Sequence, residues 1–565
     1  MTMRRSYEYV GRQFRGVPRR IGAGRRAWMT GALVALGCIS SACDSGVPAD
    51  DPSEPLSLAK DAISGGGSSN GGLAPLSSVA VPQLGGGDIV DPAAAVRLGK
   101  ALFWDVQTGG DGQVACASCH FHGGADSRLL NVLNPGPDGI FASGGVTSAG
   151  QLFSLSAITN DDRVGSQGVV GSLFVAVDPD PAVAADICTP DLSAPFFSER
   201  RVTGRNAPPV VGAVFNRDNF WDGRANHAFN GVDPFGNTGN GGGSLSIANG
   251  SLASQAVGPP NNGTEMSCAG RGFNGPGSLG SKLLARQPLA HQLVSPGDGV
   301  LGALSASPAN GLTVSYQDLI AAAFPAALSA DAEAQFSRIW GQAIQAYEAT
   351  LIPDQTPLDR YLAGNSAALT ANQKRGLDLF KGKGDCTRCH AGPELTDASV
   401  SFSVANGVVN EDGGDQGFHN LGVRPTAEDL GRAGCPSAPC DSSGPGHFPN
   451  SVSGATKDRG AFKTAALRDV KLTAPYFHNG GKASLEQVVA FYNQGGDFAN
   501  PEKAKRIKPL SLSAGDQTAL VDFLRNGLTD CRVENQLAPF DHPALSLPNG
   551  DALPALGADG TGPCL

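Results

Sequence analysis

Two short stretches of this chain combine cysteine and histidine at the same spacing. "VACASCHFHGG" begins at Val114 and "DCTRCHAG" begins at Asp385, and each has two cysteines three positions apart followed directly by a histidine. Thiols at this spacing can bind a metal, cycle between dithiol and disulfide, or add to the vinyl groups of a porphyrin. The residues are Cys116, Cys119 and His120 in the first stretch, and Cys386, Cys389 and His390 in the second.

The histidine that follows each pair separates these chemistries. A redox CxxC needs no adjacent histidine, and a structural zinc site needs four ligands, usually from two neighbouring pairs. In the CxxCH pattern, two thioether bonds hold one haem and the histidine reaches its iron from one face. The two copies therefore predict two covalent c-type haems, with His120 and His390 as the proximal iron ligands.

Helices are the elements that the sequence predicts around these motifs. Several segments carry apolar side chains at three-to-four spacing, which is typical of amphipathic helices, whereas strand-like alternation is scarce. The fold is therefore predicted to be mainly helical. The segments are "AAAVRLGKALFWD" (93–105), "AEAQFSRIWGQAIQAYEATL" (332–351), "TANQKRGLDLF" (370–380), "SLEQVVAFYN" (484–493) and "AGDQTALVDFLRNGL" (514–528).

Length and composition set wider limits. A chain of 565 residues is long enough for two or more domains, and its 77 glycines and 39 prolines predict much loop and linker. The formal net charge is −10, and removal of the eight arginines and Glu8 of residues 1–42 would make it more acidic still. An acidic protein is a poor partner for nucleic acid or an anionic membrane. Small basic electron carriers and neutral substrates remain compatible with this charge.

The N-terminus is predicted to be an export signal, residues 1–43. Eight arginines precede the apolar stretch "AWMTGALVALGCI" (27–39), which is too short to span a bilayer as a mature helix. "SSACDSG" then places Cys43 as a lipoprotein processing site, although Ser40 stands where such sites usually have Leu, and ordinary cleavage without lipidation is the alternative. Residues 44–88 are predicted to be a flexible linker. A periplasmic or exported location follows, with the membrane reached only through a lipid anchor on Cys43.

Six further cysteines remain once the signal and the two motifs are set aside. An even number in an exported chain predicts up to three disulfides, of which Cys435–Cys440 would be a local loop closure. The pairing of the other four is left open by the sequence. These four are Cys188, Cys268, Cys531 and Cys564.

Three longer segments resemble the bacterial di-haem cytochrome c peroxidase family, which includes the methylamine-utilisation enzyme MauG. They are "GRNAPPVVGAVFNRDNFWDGRA" (204–225), "YEATLIPDQTPLDRYLAG" (347–364) and "FKTAALRDVKLTAPYFHNGGKASLEQVVAFYNQGG" (462–496). The resemblance runs in the family's order from about residue 90 to about residue 527.

The resemblance implies two cytochrome c-like helical domains with one covalent haem each. The first, a peroxidatic haem domain, would span residues 89–352, and the second, an electron-transfer haem domain, residues 353–565. Long insertions interrupt the similarity, chiefly at 125–200 and 226–250.

The resemblance also implies roles for residues of the first domain. Gln255 and Glu265 match the segment that flanks the peroxide site, where Gln255 would orient H2O2 and Glu265 would act as general acid/base. Trp221 matches the tryptophan that lies between the two haems and relays electrons. Many members block the resting iron with a distal histidine, but none occurs between His122 and Arg205. We therefore expect a peroxidatic haem that needs no reductive activation.

For the second domain, the resemblance implies a tyrosine ligand. Family peroxidases place a methionine fourteen residues after the histidine of "APYFH", whereas counting from His478 gives Tyr492, as in MauG. A phenolate favours ferric or higher iron and should lower the potential of the second haem. One Ca²⁺ between the domains is also implied, held by Asn206, Thr473 and Pro475.

Three functions fit these features. The first is an exported peroxidase that reduces H2O2 with electrons from a small cytochrome c or cupredoxin, passed from the C-terminal haem to the N-terminal haem. The second is a MauG-like oxidase that acts on a protein or organic substrate. The third is a non-enzymatic di-haem electron-transfer protein, against which Gln255 and Glu265 weigh. Haem oxygenases that cleave rubber are more distant relatives.

Overall fold

The computed structural model of the chain describes residues 72–193, 195–236, 245–434 and 451–564. The predicted export signal with Cys43, the greater part of the predicted linker and the predicted Cys435–Cys440 disulfide lie outside these residues. Within the described part, none of the helices combines the length and the apolar character that a membrane span requires.

The five predicted helical segments are all helical in the structure. The α-helices of the described residues are α1 (Pro92–Trp104), α2 (Ala117–His120), α3 (Ser251–Ala256), α4 (Leu279–Leu284), α5 (Tyr316–Ala323), α6 (Ala326–Ala330), α7 (Phe336–Glu348), α8 (Pro357–Leu362), α9 (Ala371–Lys381), α10 (Val400–Asn406), α11 (Leu485–Gln494), α12 (Ala514–Asp522) and α13 (Cys531–Glu534). A π-helical turn, Phe523–Gly527, continues α12. Short 3₁₀ helices cover Leu76–Ser78, Val106–Thr108, Ala213–Phe215, Pro259–Asn261, Gly302–Leu304, Cys386–Arg388, Thr426–Glu428, Thr456–Asp458 and Val470–Leu472.

Local sequence explains where the two helices that precede the haem motifs begin. The carboxylate of Asp91 accepts hydrogen bonds from the first free N–H groups of α1, and Pro92 supplies a φ angle that suits the first turn. Thr370 caps α9 in the same way and forms a reciprocal capping box with Gln373. Both starts therefore follow from residue types that the sequence displays.

The same helix crossing occurs twice. A Cβ atom added at Gly99 of α1 would lie 1.9 Å from the carbonyl oxygen of Ala343 in α7, and one added at Gly376 of α9 would lie 2.2 Å from that of Ala519 in α12. Only glycine lets the backbones approach so closely. In each case the helix thus packs against a later helix of its own half of the chain.

Two hydrophobic clusters follow from these crossings. The first is built mainly from α1, α5 and α7, and the second from α9, α11, α12 and the π turn. The first also takes in Val533, Phe540, Leu545 and Leu547 from near the C-terminus. The boundary at residue 352 stays a prediction, although the segment after α12 packs on the first cluster.

Strands are short, and most of them lie in the first predicted insertion. They are β1 (Leu133–Asn134), β2 (Arg163–Val164), β3 (Gln167–Val170), β4 (Ser172–Val177), β5 (Asp186–Pro190), β6 (Arg200–Val202), β7 (Phe418–His419), β8 (Phe462–Lys463), β9 (Leu545–Ser546) and β10 (Ala552–Leu553). They pair as five antiparallel two-stranded sheets, β1–β2, β3–β6, β4–β5, β7–β8 and β9–β10. The prediction of a mainly helical fold is confirmed for the five segments named above. The insertion at 125–200, by contrast, is rich in β-strands.

Two disulfides resolve the pairing that the sequence left open. Cys188 of β5 pairs with Cys268, and Cys531 of α13 pairs with Cys564. The first disulfide ties the β4–β5 hairpin to the segment that follows Glu265 and Met266. The insertion is therefore covalently attached beside a predicted catalytic residue.

Candidate functional site

The first CxxCH motif forms a tight turn that presents one nitrogen of its histidine. Its last three residues lie in α2, and Nδ1 of His120 is 2.9 Å from the carbonyl oxygen of Gly124. Since a carbonyl only accepts hydrogen bonds, Nδ1 carries the proton and Nε2 keeps its lone pair. His120 is thereby oriented as a metal ligand, with Phe103 of α1 packed 6.4 Å away between ring centroids.

The second motif repeats this arrangement. Its cysteines enclose the 3₁₀ turn Cys386–Arg388, and Nδ1 of His390 lies 3.2 Å from the carbonyl oxygen of Leu395. Phe380 of α9 packs against the imidazole with a centroid separation of 6.3 Å. Phe103 and Phe380 each lie four residues after the crossing glycine of their helix, so the two histidines occupy equivalent places in their halves.

The four motif cysteines are suited to covalent attachment. They are free thiols, each partly buried, and none lies in a disulfide. Burial raises the pKa of Cys119 and of Cys386 to about 12, so both are neutral thiols at physiological pH. Neutral paired thiols beside an oriented histidine fit the residues that hold c-type haem.

A large cavity of about 1030 Å³ adjoins the first motif. Gln255 reaches it from α3, and Glu265 from the loop that follows Pro259–Asn261. Burial raises the pKa of Glu265, opposed by the charge of Arg224, and its carboxylate makes no hydrogen bond with the described residues. The predicted residues that line this cavity are Cys116, Cys119, His120, Asn206, Trp221, Gln255 and Glu265.

The wall behind Glu265 comes from the β-rich insertion. A Cβ atom added at Gly168 of β3 would lie 2.0 Å from the carbonyl oxygen of Thr264 and 2.3 Å from that of Glu265. Met266, which also lines the cavity, is buried against Val169. The insertion thus holds the backbone of Glu265 in place, a role that the sequence did not indicate.

His120 is the only histidine among the described residues that line the first cavity. The neighbouring His122 turns away, and its Nδ1 lies 2.8 Å from the carbonyl oxygen of Leu472. His122 is therefore not among the residues that line the first cavity.

A second cavity, of about 210 Å³, adjoins the second motif. Tyr492 of α11 lines it, and burial raises the pKa of its phenol strongly. His478 lines it as well, stacked on Phe462 with ring centroids 3.5 Å apart, and burial lowers the pKa of this imidazole to about 3. The predicted residues that line this cavity are Asn206, Trp221, Cys386, Cys389, His390, Thr473, Pro475 and Tyr492.

Trp221 and Asn206 line both cavities. The indole Nε1 of Trp221 donates to the backbone carbonyl of Asn206 at 2.8 Å, which fixes the ring orientation. The Asn206 side chain in turn donates to the carbonyl oxygen of Pro475 at 2.6 Å. The structure therefore brings Asn206 and Pro475 of the predicted calcium site together, and Thr473 lies two residues from Pro475. The calcium itself stays a prediction.

Two residues that line the cavities have no signal in the sequence that indicates this position. Glu348, at the end of α7, lines the first cavity with only 5% of its surface exposed, and burial raises its pKa to about 8. His419 lines the second cavity, and its Nε2 lies 2.7 Å from a carboxylate oxygen of Asp397. The segment "YEATL" contained Glu348, but only the packed structure shows that its side chain is buried. His419 has no spacing signal of its own.

Two CxxCH motifs on repeated helix crossings, each beside a cavity, are typical of multihaem c-type cytochromes. A family model described as di-haem cytochrome c peroxidase matches residues 93–367. Among similar proteins is the cytochrome-c peroxidase IdrP2 of Denitromonas iodatirespirans, 35% identical over 200 residues, which are 33% of this chain and 47% of that protein. The chain is thus similar to the di-haem cytochrome c peroxidase and MauG family.

Other relatives extend this comparison. The MauG protein of Methylorubrum extorquens is 34% identical over 183 residues, covering 32% of this chain and 42% of that protein. The cytochrome c551 peroxidase of Pseudomonas aeruginosa is 29% identical over 338 residues, covering 59% of this chain and 68% of that protein. The chain thus spans about half the length of the IdrP2 and MauG relatives that it matches.

Proposed function

We propose that this protein is an exported di-haem peroxidase that reduces H2O2 at the first cavity. Electrons enter at the C-terminal site and pass to the N-terminal site through Trp221. The observation that carries this proposal is the unequal lining of the two cavities. Among the described residues, the first is lined by the Gln255 amide, by two acids without a hydrogen-bond partner, Glu265 and Glu348, and by no histidine except His120, while the second is lined by Tyr492.

Haem held by Cys116, Cys119 and His120 would supply an iron that binds peroxide and takes up its oxidising equivalents. The Gln255 amide orients the peroxide by hydrogen bonding. The Glu265 carboxylate would take a proton from one peroxide oxygen and return it to the other, which leaves as water. Burial suits Glu265 to this exchange because its raised pKa lies closer to neutrality.

Trp221 supports electron passage between the sites. Its ring borders both cavities and is held by one hydrogen bond to Asn206, so it offers a fixed aromatic bridge. The donor would be a small cytochrome c or cupredoxin. A periplasmic location and a lipid anchor on Cys43 belong to the same proposal.

A MauG-like oxidase is the second candidate, and Tyr492 favours it. A phenolate ligand at the second site would stabilise oxidised iron, so that both sites share the oxidising equivalents. The substrate would then be a protein or organic molecule oxidised through Trp221. A simple electron carrier has no use for Gln255 and Glu265 in the first cavity.

Addition of H2O2 to the purified oxidised protein, with and without a reduced cytochrome c, tests these proposals. Rapid spectral change with turnover supports the peroxidase, a long-lived oxidised state without turnover supports the oxidase, and an inert spectrum contradicts both.

Substitution Glu265→Gln is expected to slow the reaction with H2O2 by a factor of about 10²–10⁴, because the amide cannot exchange the proton. The wild-type rate should fall as the pH drops through the raised pKa of Glu265, since the protonated acid cannot act as the base. Stopped-flow absorbance over a pH series measures both effects. Asp331→Asn, on the exposed surface, is the control. A wild-type rate and pH profile in Glu265→Gln would exclude the proposed role.

A further inference from the structure

A small third cavity lies on the proximal side of the first motif. Its volume is about 40 Å³, and it is bordered by residues from α1, α7 and the C-terminal segment as well as by the proximal histidine. It is separate from the cavities that contain Gln255, Glu265 and Tyr492. Its aromatic lining includes Phe103, Trp104, His120, Tyr347, Phe540 and His542.

Trp104 is held within this lining by three aromatic contacts. Its indole Nε1 donates to the hydroxyl of Tyr347 at 3.1 Å, and its ring stacks on His542 at 4.6 Å between centroids with an interplanar angle of 11°. Phe103 lies 6.0 Å from Trp104 and 6.4 Å from His120. A continuous set of rings therefore leads from the proximal histidine to an indole that is only 4% exposed.

A buried cluster of charged side chains lies beside this set of rings. Lys100, one helical turn before Trp104, is bound by Asp298 at 2.8 Å and by Asp541 at 3.3 Å, and all three side chains are fully buried. Two carboxyl groups thus share one ammonium group, and one of these carboxyl groups belongs to Asp541, which directly precedes His542 in sequence. Burial and the nearby Asp298 raise the pKa of Asp541 while Lys100 lowers it. Burial and the charges of Asp298 and Asp541 also raise the pKa of Tyr347. Since Tyr347 accepts the Trp104 hydrogen bond, the field of these two carboxylates on this side of the indole favours positive over negative charge.

Hydrogen bonding shows which ring can lose an electron without losing a proton. Nδ1 of His542 donates to the carbonyl of Pro543 at 2.9 Å, and burial lowers the pKa of this imidazole, which favours the neutral ring. Tyr347 accepts the Trp104 hydrogen bond, and its own hydroxyl proton has no acceptor among the described residues. A tyrosine without a proton acceptor is hard to oxidise, whereas an indole can give up an electron and keep its Nε1–H.

We propose that Trp104 is a redox-active residue that supplies one electron to the first site from its proximal side when no external donor is present. The inference rests on the proposed peroxide reduction, which supplies the oxidant. Reduction of H2O2 to water takes two electrons from the first site, and Trp104 returns one of them. The indole becomes a cation radical with Nε1–H retained, no bond forms or breaks, and one oxidising equivalent remains at the haem sites.

Trp104 differs from Trp221 both in its position and in its proposed role. Trp221 borders the two large cavities, whereas Trp104 borders the proximal one and is stacked on a histidine from the C-terminal segment. When Trp104 is oxidised, the oxidising equivalent lies outside the cavity that contains Gln255 and Glu265. Trp104 thereby protects the peroxide site when reducing equivalents run out.

The test uses the full di-haem protein, labelled with ring-deuterated tryptophan, mixed with H2O2 without donor and freeze-quenched for electron paramagnetic resonance. The wild type should give a radical whose signal narrows on deuteration. Trp104→Phe should reduce that signal at least twofold. Trp340→Phe should leave it unchanged, because Trp340 is equally buried and donates to the Ala256 carbonyl but borders none of the three cavities. A full-strength signal in Trp104→Phe overturns the proposal.

Tyr347→Phe provides a second readout that keeps the indole in place. Loss of the hydroxyl acceptor should change the hyperfine coupling of the Nε1 proton while the radical persists, and an unchanged coupling overturns the assignment to Trp104. This variant decides the question if Trp104→Phe does not fold. A haem spectrum that H2O2 does not change overturns the proposed function and this inference together, whereas a changed spectrum without a Trp104-dependent radical overturns this inference alone.

Discussion

At the scale of single residues, burial determines how the acids of the first cavity behave. Glu265 and Glu348 both line it, both have raised pKa values, and neither carboxyl group hydrogen-bonds with the described residues. The sequence pointed to Glu265 because a segment around it resembles a known family, and its catalytic role stays a prediction. Glu348 could not, since its burial depends on packing between α7 and distant segments. Spacing alone identified the six motif residues because CxxCH is a local signal.

Glu348 should make stability depend on pH. In the unfolded chain its carboxyl ionises above about pH 4.5, whereas in the folded protein it ionises only near 8. The unfolded state therefore binds fewer protons in this window, and the free energy of unfolding falls as pH rises from 4.5 to 8. The loss should be on the order of 5 kcal/mol, at about 1.4 kcal/mol for each pH unit between 4.5 and 8.

Glu348→Gln should remove this contribution because the amide does not titrate. Urea unfolding of both proteins at pH 5 and pH 8 measures it, with the variant gaining stability relative to wild type at the higher pH. Glu486→Gln is the control, since Glu486 is 56% exposed and contributes little. Equal pH dependence in wild type and Glu348→Gln would contradict the assignment.

At the scale of elements, the repeated helix crossing is what positions both proximal histidines. The helices themselves could be predicted from apolar periodicity and from the caps at Asp91 and Thr370. Their pairing could not, because the close approach at Gly99 and Gly376 is a property of two helices together. The strands of the insertion could not be predicted either, because strands of two to six residues are too short to show a clear alternation of apolar and polar side chains.

The crossing of α9 and α12 gives a matched pair of glycine substitutions. Gly376→Ala should destabilise the protein by about 1–3 kcal/mol or more, because its Cβ would lie 2.2 Å from the Ala519 carbonyl oxygen. Gly515→Ala, on the facing helix, meets only the end of the Arg375 side chain at 3.7 Å and should stabilise by about 0.4–1 kcal/mol. Thermal unfolding of the two variants distinguishes them. If both substitutions changed the stability by the same amount and in the same direction, the close approach of the two helices at Gly376 would be contradicted.

At the scale of the whole molecule, ion pairs and Trp221 link segments from the two halves of the chain. Arg205 binds Asp429 at 2.6 Å, and Arg432 binds Asp218 at 3.3 Å, with the Arg432 pair almost fully buried. Trp221 follows Asp218 by three residues in sequence, and it borders both large cavities. The two large cavities are therefore connected by contacts between residues far apart in the chain, which a single sequence does not display.

Trp221→Phe should slow electron transfer between the two sites while leaving both haem spectra in the resting protein intact. Phenylalanine keeps an aromatic ring but is harder to oxidise, and it loses the hydrogen bond to the Asn206 carbonyl. The rate at which the reduced second site is reoxidised after H2O2 addition measures the effect. Trp340→Phe, in the first hydrophobic cluster, should keep the wild-type rate. An unchanged rate in Trp221→Phe would exclude it from the route.

The attachment of the C-terminal segment to the first hydrophobic cluster affects how the protein is made. Val533, Phe540 and His542 pack against residues that are synthesised some two hundred or more positions earlier. An expression fragment that stops at residue 352 would leave this apolar surface in water and would lack the ring that stacks on Trp104. The packing of the N-terminal half is therefore complete only when this C-terminal segment has joined it, so we expect the first CxxCH motif to reach its final surroundings late in folding.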